Sequence, residues 1–361
     1  MRVGFWARSA RRSLSTSAEA GIKDLREMCK NRGFIFPGSE VYGGLTGSFD
    51  YGPLGSQLKK NIKDLWWRHF VTRRRECVGL DSSIILHSKV WEAAGHIEQF
   101  IDPLCECKVC HTRFRTDKLI EEAGGQVPKN NSKTPQDKQH WLSEMSDFVA
   151  QRGLKCKVCG NSDFTPTREF NLLFETNYGG QATYLRPETA QGVYINFPQL
   201  LFCQRGRLPL GVGQIGKSFR NEISPGNFIF RQREFEQMEL QYFCHPDAAM
   251  GFYHYWIEEC KNWLINLGLP VESIRLHEYA PTELAHYAKA TTDIQFKFLH
   301  GWDELWGIAH RGNFDLSTHA KASDKPKKFE VEDPMNKQTF IPNVVEPAVG
   351  TAPNPFTKGS T

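Results

Sequence analysis

The chain has 361 residues, 40% of them hydrophobic and 24% charged, enough for about two domains with a substantial core. No apolar run approaches the roughly 18 residues that a membrane helix needs, and an aromatic content of 12% excludes a disordered chain. The formal net charge of +4 comes entirely from four arginines among residues 1–18, so the rest of the chain is neutral. Any contact with nucleic acid must therefore use local basic patches.

The N-terminal residues 1–18 are rich in Arg and Ser and contain no acidic residue. This composition is typical of an organelle transit peptide, and an ordinary disordered basic tail is the alternative. Because the segment lacks the apolar stretch of a secretory signal, we expect a mitochondrial matrix protein, with a plastid also possible.

Two elements follow in the next part of the chain. Leu58, Ile62, Leu65, Trp66 and Phe70 recur at helical spacing and predict an amphipathic helix over roughly 55–72. The apolar, β-favouring run that follows predicts a strand over 76–86.

Four of the ten cysteines form two identical CKVC knuckles, Cys107 with Cys110 and Cys156 with Cys159. Two residues between cysteines let both thiolates face one ion, and two such knuckles complete a tetrahedral shell. The spacing predicts a structural zinc site, with a chance arrangement as the alternative and Cys105 as a spare thiol. The polar segment 124–139 between the knuckles predicts a mobile loop.

The stretch 216–243 contains two β-like runs separated by the turn residues 224–227, which predicts an antiparallel hairpin. Strand alternation places a mixed set of charged, polar and aromatic residues on one face: Arg231, Arg233, Phe235, Gln237 and Glu239. The opposite face receives Phe230, Met238, Leu240 and Tyr242, together with Gln232, Glu234 and Glu236. On the first strand, Arg220 and Glu222 share a face.

This face suits a nucleoside triphosphate, because guanidinium groups fit phosphate oxygens and an aromatic ring can lie under a base. An exposed, salt-bridged strand explains the same alternation equally well. Farther along, apolar residues at helical spacing predict a second helix over 247–267, ended by Gly268 and Pro270.

A family resemblance rests on several of these segments. Phe219-Arg220-Asn221-Glu222 followed by Arg231, Phe235 and Glu239 resembles motif 2 of class II aminoacyl-tRNA synthetases, and the helix and strand at 55–86 resemble the motif 1 dimer element. Further segments are similar to homodimeric glycyl-tRNA synthetases of the bacterial type: SEVYGGLTGSFDYGPLG (39–55), VWEAAGH (90–96), RFRTDKLIEE (113–122), FNLLFETNYG (170–179), YLRPETAQG (184–192) and ELWGIAHRGNFDL (304–316). The likeness covers roughly residues 21–350.

The resemblance implies a two-step reaction in which ATP and glycine form glycyl-adenylate and tRNA(Gly) then accepts the glycyl group. It implies catalytic roles for Arg220, Glu222 and Arg231. The implied contacts of ATP and its Mg²⁺ are Arg220, Asn221, Glu222, Phe230, Arg231, Arg233, Phe235, Glu304 and Leu305. The implied contacts of glycine are Arg115, Glu188, Gln237, Glu239, Arg311 and Glu346. The family also implies a homodimer.

The sequence departs from the family pattern at motif 3. Ala348 stands where the family has Ser, and Pro353 stands where it has an arginine for the γ-phosphate. Losing such a phosphate contact costs on the order of a hundredfold in rate. We therefore expect a catalytic core over 19–350 that is incomplete at motif 3, a non-family tail at 351–361 and no anticodon-binding domain.

The predicted fold is α+β, a class II synthetase-like antiparallel sheet flanked by helices, with a zinc-knuckle insertion at 103–168. The predicted function is glycine–tRNA ligase. The first alternative is a catalytically impaired fragment that binds nucleotide or tRNA, or dimerises. The second is a zinc-ribbon nucleic-acid-binding module.

Overall fold

The computed structural model describes residues 18–128, 134–223, 228–285, 287–299 and 301–350. The predicted transit segment, apart from Ala18, lies outside the described residues, as do the turn at 224–227 and the tail at 351–361. No helix within the described ranges is both long and apolar enough to cross a bilayer.

Helices and strands alternate irregularly along the chain. The α-helices are α1 (Ala18–Asn31), α2 (Pro53–Trp67), α3 (Ser88–Ala93), α4 (His96–Gln99), α5 (Thr116–Glu122), α6 (Pro135–Gln151), α7 (Ala190–Cys203), α8 (Ala249–Asn266) and α9 (Phe314–Ala322). A π-helical turn, Arg68–Thr72, continues α2. The strands are β1 (Ile35–Pro37), β2 (Phe49–Tyr51), β3 (Cys77–Gly79), β4 (Ile85–Leu86), β5 (Ile101–Glu106), β6 (Arg113–Arg115), β7 (Arg168–Asn171), β8 (Phe174–Tyr178), β9 (Gln181–Leu185), β10 (Leu210–Phe219), β11 (Glu234–Cys244), β12 (Ile274–Glu278), β13 (Ala290–Phe298), β14 (Gly301–Gly312), β15 (Val331–Glu332), β16 (Thr339–Phe340) and β17 (Asn343–Gly350).

A seven-stranded sheet in the order β12-β13-β14-β17-β11-β10-β3 organises the chain. Every pair in it is antiparallel except β3 and β10. Gln214 on β10 lies opposite Glu239 on β11, which lies opposite Ala348 on β17. The predicted α+β sheet and its β10–β11 hairpin are therefore confirmed.

One face of this sheet packs against α2 and α8. Five aromatic residues form a cluster there: Trp66, Phe70, Trp256, Trp263 and Trp306. The ring centroid of Phe70 lies 5.3–6.0 Å from those of the four tryptophans, and the rings of Trp263 and Trp306 are 5.5 Å apart. Burying each such aromatic side chain contributes about 1.5–3 kcal/mol. The aromatic cluster therefore makes this face the main hydrophobic core.

The opposite face changes character along the strands. At one end an apolar cluster that includes Phe197 of α7, Leu316 of α9, Phe243 and Val344 covers the sheet. At the other end the inward side chains are polar, although they are equally buried. We call this polar end the site face and define it by five residues, Gln214, Ser218, Gln237, Glu239 and Glu346.

The predicted helix over 247–267 is confirmed as α8, and the helix over 55–72 as α2 with its π-helical turn. Trp66 and Phe70 are buried as expected, but Leu58 and Leu65 are exposed. The predicted strand over 76–86 is wrong for 80–84. There Ser82 donates its N–H to the Gln214 side chain at 2.8 Å, which withdraws this backbone from a strand ladder.

The knuckles belong to a separate module built on the small sheet β6-β5-β7, with α5 and α6 packed on it. Its sheet spans Ile101 to Asn171, slightly beyond the predicted 103–168. The predicted loop over 124–139 is wrong at its end, because α6 begins at Pro135. The Thr134 hydroxyl accepts from the Asp137 N–H and the Asp137 carboxylate accepts from the Thr134 N–H, which fixes the start of the helix.

Candidate active site

Arg311 is the centre of a buried ionic network on the site face. The pairing of β14 with β17 is irregular between His310 and Gly312, so Arg311 lies outside the regular register of the two strands. Its Nε and Nη2 donate to both carboxylate oxygens of Asp315 at 2.8 and 2.9 Å, and its Nη1 donates to Glu346 at 2.8 Å. The ring of Tyr287 lies 4.0 Å from the guanidinium carbon. These two carboxylates hold the pKa of Arg311 well above its ordinary value, despite burial that lowers it.

Glu239 and Glu346 lie beside each other on the site face, on neighbouring strands. Glu239 accepts from the Thr189 hydroxyl at 2.5 Å and from the Gln237 amide at 2.7 Å. Glu346 accepts from the Gln241 amide at 2.7 Å as well as from Arg311. Burial, followed by the charges of nearby carboxylates, raises the pKa of Glu239 to about 8. Burial also raises the pKa of Glu346.

Glu188 approaches the same network from the segment before α7. The Gln191 amide donates to Glu188 at 3.0 Å and to Asp315 at 3.1 Å, and His319 Nε2 lies 2.8 Å from the Gln191 carbonyl oxygen. His96 Nε2 lies 3.4 Å from Glu188. Burial raises the pKa of Glu188, but His96, Arg311 and Gln191 outweigh it and bring the pKa well below the ordinary value. The pKa values of Glu188 and Glu239 are therefore shifted in opposite directions within one site.

Arg220 lies between this network and the β10–β11 hairpin. Its Nε donates to the Pro187 carbonyl at 3.0 Å, next to Glu188 in the chain. Its guanidinium carbon lies 5.3 Å from the ring centroid of Phe235 and 5.5 Å from that of Phe100. Arg220 and Phe235, both predicted contacts of ATP, therefore lie against each other.

A second ionic group lies beyond Arg220. Arg231 Nε is 3.6 Å from a Glu222 oxygen. Arg115 contacts Asp102 at 3.2 Å and Asp117 at 2.5 Å. Burial raises the pKa of Asp102 to about 6, against the opposing effect of Arg115. Arg115, a predicted glycine contact, therefore forms its ion pairs in this second group, whereas Arg311 forms its own in the first network.

The strand-face prediction for the second hairpin strand is wrong at its beginning. Because β11 starts at Glu234, Arg231 and Arg233 lie in the connection, where strand alternation does not apply. Arg233 donates to the Glu222 carbonyl at 3.0 Å and to the Thr46 carbonyl at 3.1 Å, so its guanidinium ties backbone segments together. From Phe235 to Tyr242 the alternation is confirmed, with Met238, Leu240 and Tyr242 in the core.

The remaining predicted nucleotide contacts are spread out. Phe230 packs on the ring of Phe298, with ring centroids 5.4 Å apart. Asn221 donates to the Asn171 carbonyl at 3.4 Å. Glu304 is a buried carboxylate on β14, whereas Leu305 packs against the core on the opposite face of the sheet. The side chain of Leu305 therefore belongs to the core, which leaves its backbone for the predicted ATP contact.

A cavity of about 620 Å³ opens beside the hairpin, lined by residues 45–51 together with Asn221, Arg233 and Phe235. Arg220, Glu222 and Arg231 do not line it. Its lining therefore shares Asn221, Arg233 and Phe235 with the set that the resemblance implies for ATP, and overlaps that set only in part.

Sequence reasoning missed the residues that hold the charged groups in place. Gln191, Asp315, Thr189 and Gln241 all bind a predicted glycine contact, and all are buried. Gln191 carries a usable signal, because it is a polar residue within the apolar sequence of α7. Thr189 and Gln241 have no local signal, since their partners Glu239 and Glu346 are far away in the chain.

The four knuckle cysteines meet as predicted, with all their sulfur atoms within 4.8 Å of one another. Cys107 and Cys159 are 3.6 Å apart, and Cys110 and Cys156 are 3.5 Å apart. Zinc–sulfur bonds of about 2.3 Å in a tetrahedron require sulfur separations close to these, so the cluster fits zinc. Hydrogen bonds from Thr112 lower the pKa of Cys110, which favours the thiolate that binds metal.

Cys105 lies outside the cysteine cluster. It is buried in the core of the module with Ile120 and Met145. The spare thiol of the sequence analysis is therefore a packing residue.

Comparison with known proteins gives consistent results. Residues 170–341 match the family described as tRNA synthetase class II core domain (G, H, P, S and T). The chain is 47% identical to a glycine–tRNA ligase of Alkaliphilus oremlandii over 340 residues, which cover 92% of this chain and 72% of the relative. It is 49% identical to a glycine–tRNA ligase of Mesoplasma florum, covering 89% and 70%.

Among solved structures, prolyl-tRNA synthetase of Giardia lamblia in complex with prolyl-adenylate superposes with a TM-score of 0.62. The match covers 94% of this chain and 52% of that one, at 12% identity. At this identity the likeness supports the fold alone.

Proposed function

The chain belongs to the glycine–tRNA ligase family of the class II aminoacyl-tRNA synthetases, and from this premise we propose which residues activate glycine and transfer it to tRNA(Gly). The observation that carries the assignment is the buried network in which Arg311 joins Asp315 and Glu346 beside Glu188 and Glu239. A site with several buried carboxylates suits a small cationic group such as the glycine ammonium.

We assign the glycine ammonium to Glu188 and Glu239, and the glycine carboxylate to Arg311. Three of the five N–H donors of Arg311 are used by Asp315 and Glu346, which leaves two for a substrate carboxylate. Glu346 and Gln237 hold these groups from the neighbouring strands. Because one methyl group gives little binding contrast, alanine must be excluded sterically in this crowded pocket.

Activation requires an oxygen of the glycine carboxylate to attack the α-phosphorus of ATP while the bond to pyrophosphate breaks. We assign this step to Arg220, because its Nε is hydrogen-bonded to the carbonyl of Pro187, next to Glu188, and its guanidinium lies over the ring of Phe235. A preorganised cation at the developing charge is worth about 10²–10³ in rate. Glu222 and Arg231 would hold the adenine and the distal phosphates. In the second step a terminal hydroxyl of tRNA attacks the carbonyl and AMP leaves.

Two metal ions complete the proposal. Glu304 offers a buried carboxylate oxygen, the type of ligand that Mg²⁺ prefers, and Mg²⁺ would neutralise charge on the phosphates. Zn²⁺ would be held by Cys107, Cys110, Cys156 and Cys159. Four thiolates leave no open position for water, so the zinc would be structural.

We further propose a homodimer that uses α2. Leu54, Leu58 and Leu65 of this helix are 51%, 51% and 43% exposed, an apolar surface that a second copy could cover. Light scattering should show twice the chain mass for the parent and a shift to the monomer for Leu58→Glu. A monomeric parent protein contradicts this part of the proposal.

Residues 1–18 have the composition of a targeting segment. We propose that residues 1–18 direct the chain to the mitochondrial matrix, with a plastid as the other destination, and that 19–350 form the catalytic core. Fusion of residues 1–18 to a fluorescent reporter tests this, and a reporter that stays in the cytosol contradicts it.

The central experiment is ATP–pyrophosphate exchange with glycine, alanine and serine. We expect exchange with glycine alone, and a loss of at least about a hundredfold for Arg220→Ala. As a matched control, Arg152→Ala removes an arginine that is exposed on the cysteine module and should leave the rate unchanged. Equal exchange with alanine and glycine contradicts the assignment.

A further inference from the structure

The buried network contains more acidic groups than basic ones. Four carboxylates, Glu188, Glu239, Glu346 and Asp315, face two guanidinium groups, Arg311 and Arg186, and Arg311 is hydrogen-bonded to Asp315 and Glu346. Apart from Glu188, whose side chain is 17% exposed, all of these residues are less than 9% exposed. An uncompensated buried charge is so costly that a group usually becomes neutral instead. This imbalance predicts a bound proton somewhere in the network.

The contacts indicate which carboxylate carries that proton. Asp315 and Glu346 are hydrogen-bonded to Arg311, and Glu188 faces His96. Glu239 is hydrogen-bonded only to neutral donors among the described residues, the Thr189 hydroxyl and the Gln237 amide. A hydroxyl can donate or accept, so the 2.5 Å contact with Thr189 serves a neutral carboxylic acid equally well.

The surroundings of Glu239 favour the neutral form from most directions. Neutral Gln214 lies opposite on β10, and the carboxylate of Glu346 lies on β17. The carboxylate of Glu188 approaches from the start of α7. Two cations oppose them: Arg311 from β14 and the buried Arg186, whose Nε and Nη1 donate to the backbone carbonyls of Lys217 and Ser82.

We propose that the free enzyme keeps one proton on the Glu239–Glu346 pair, and that glycine binding releases this proton to solvent. The O–H bond of the carboxylic acid breaks, and the carboxylate left behind accepts N–H bonds from the substrate ammonium. The ammonium thereby takes the place of the proton beside the two carboxylates, while the carboxylate that glycine brings with it is matched by Arg311. This inference rests on the proposed function, since it takes glycine as the ligand.

Isothermal titration calorimetry of the full chain with glycine tests the proposal. At each pH, heats are measured in buffers of low and high ionisation enthalpy. The slope of the observed heat against the ionisation enthalpy of the buffer gives the number of protons released. With a pKa of about 8, we expect about 0.9 proton at pH 7 and about 0.1 at pH 9. Glycine heat without any buffer dependence at pH 7 overturns the proposal and leaves the proposed function intact. If neither a glycine heat nor glycine-dependent ATP–pyrophosphate exchange is found, the proton-release proposal and the proposed function are both overturned.

Infrared difference spectroscopy locates the proton independently of the heats. We expect a carbonyl band of a neutral carboxylic acid in the free protein that disappears when glycine binds. The band should be absent from Glu239→Gln or Glu346→Gln, and present in the exposed control Glu175→Gln. A band that persists in the glycine complex, or that both site variants retain, overturns the proposal.

Discussion

The cysteine module and the buried network around Arg311 are both polar centres, but they are assembled in opposite ways. The cysteines come from two short knuckles, and each knuckle fixes two ligands within four residues. The network takes its groups from β11, β14, β17 and the starts of α7 and α9, so only the sheet topology brings them together. The four cysteines need a bound ion to hold their thiolates together, whereas the network around Arg311 needs all of its partner side chains.

Loss of the proposed zinc site should have the largest effect, and a local one. Structural zinc contributes an apparent 10–16 kcal/mol or so to folding in small zinc domains. Cys156→Ser should therefore abolish a zinc content of about one per chain and remove hydrogen-exchange protection from β5–β7 while β10 and β11 stay protected. Cys203→Ser, an exposed cysteine outside the cluster, should retain the metal. If β10 and β11 lose protection together with the module, the two regions are not independent.

Removal of Arg311 should have the next largest effect, and a global one. Arg311→Ala leaves Asp315 and Glu346 buried without their cation, which we expect to cost about 3–5 kcal/mol in the free energy of unfolding. The matched control is Arg113→Ala, which breaks an exposed pair with Glu106 and should cost less than about 1 kcal/mol. Urea unfolding of both variants measures the difference. Similar losses in the two would refute the coupled network.

The pH dependence of stability distinguishes carboxylates within the network. The pKa of Glu239 is raised to about 8 in the folded state, so between its unfolded value of about 4.5 and 8 the native protein holds an extra proton. Stability from this group is therefore complete below about pH 4.5 and declines as pH rises toward 8. Glu239→Gln should remove that decline. Between pH 5 and pH 9 the free energy of unfolding of the parent should therefore fall by about 4 kcal/mol more than that of the variant.

Glu188 provides the opposite case, because its pKa is lowered in the folded state. Its contribution is present above its unfolded pKa and is lost as the pH falls through the lower folded value. Glu188→Gln should thus destabilise the protein at neutral pH. Parallel pH profiles for the two variants would contradict the assigned protonation states.

Sequence patterns predicted what depends on local spacing. The cysteine cluster, α8 and the alternation of β11 from Phe235 onward all follow from periods of two to four residues. Patterns failed where a side chain from elsewhere redirected the backbone: Gln214 binds the N–H of Ser82, so the predicted strand over 76–86 is interrupted. They also failed for Arg233, whose carbonyl partners lie in segments that the fold brings close.

The residues that hold these charged groups in position are visible only in the structure. Glu188, Glu239, Arg311 and Glu346 were implied by family resemblance, but no local pattern shows that Asp315 already binds Arg311 through both oxygens. Such a bond spans one short loop and a register irregularity in β14, neither of which periodicity reveals. The partner that positions a charged side chain, here Asp315, can therefore be harder to predict from a sequence than the charged side chain itself, here Arg311.

The smallest effect concerns the start of α6, where a loop was predicted. Thr134 and Asp137 form reciprocal hydrogen bonds that satisfy backbone N–H groups left open at a helix start. Thr134→Ala should therefore cost about 1 kcal/mol and increase hydrogen exchange in the first turn of α6. Ser143→Ala, at an exposed position within the same helix, removes a hydroxyl without a capping role and should change stability by less than about 0.5 kcal/mol. Because α6 packs on the cysteine module, zinc content should stay unchanged in both variants. Loss of zinc from Thr134→Ala would mean that the helix start, and not the knuckles alone, holds the four sulfur atoms together.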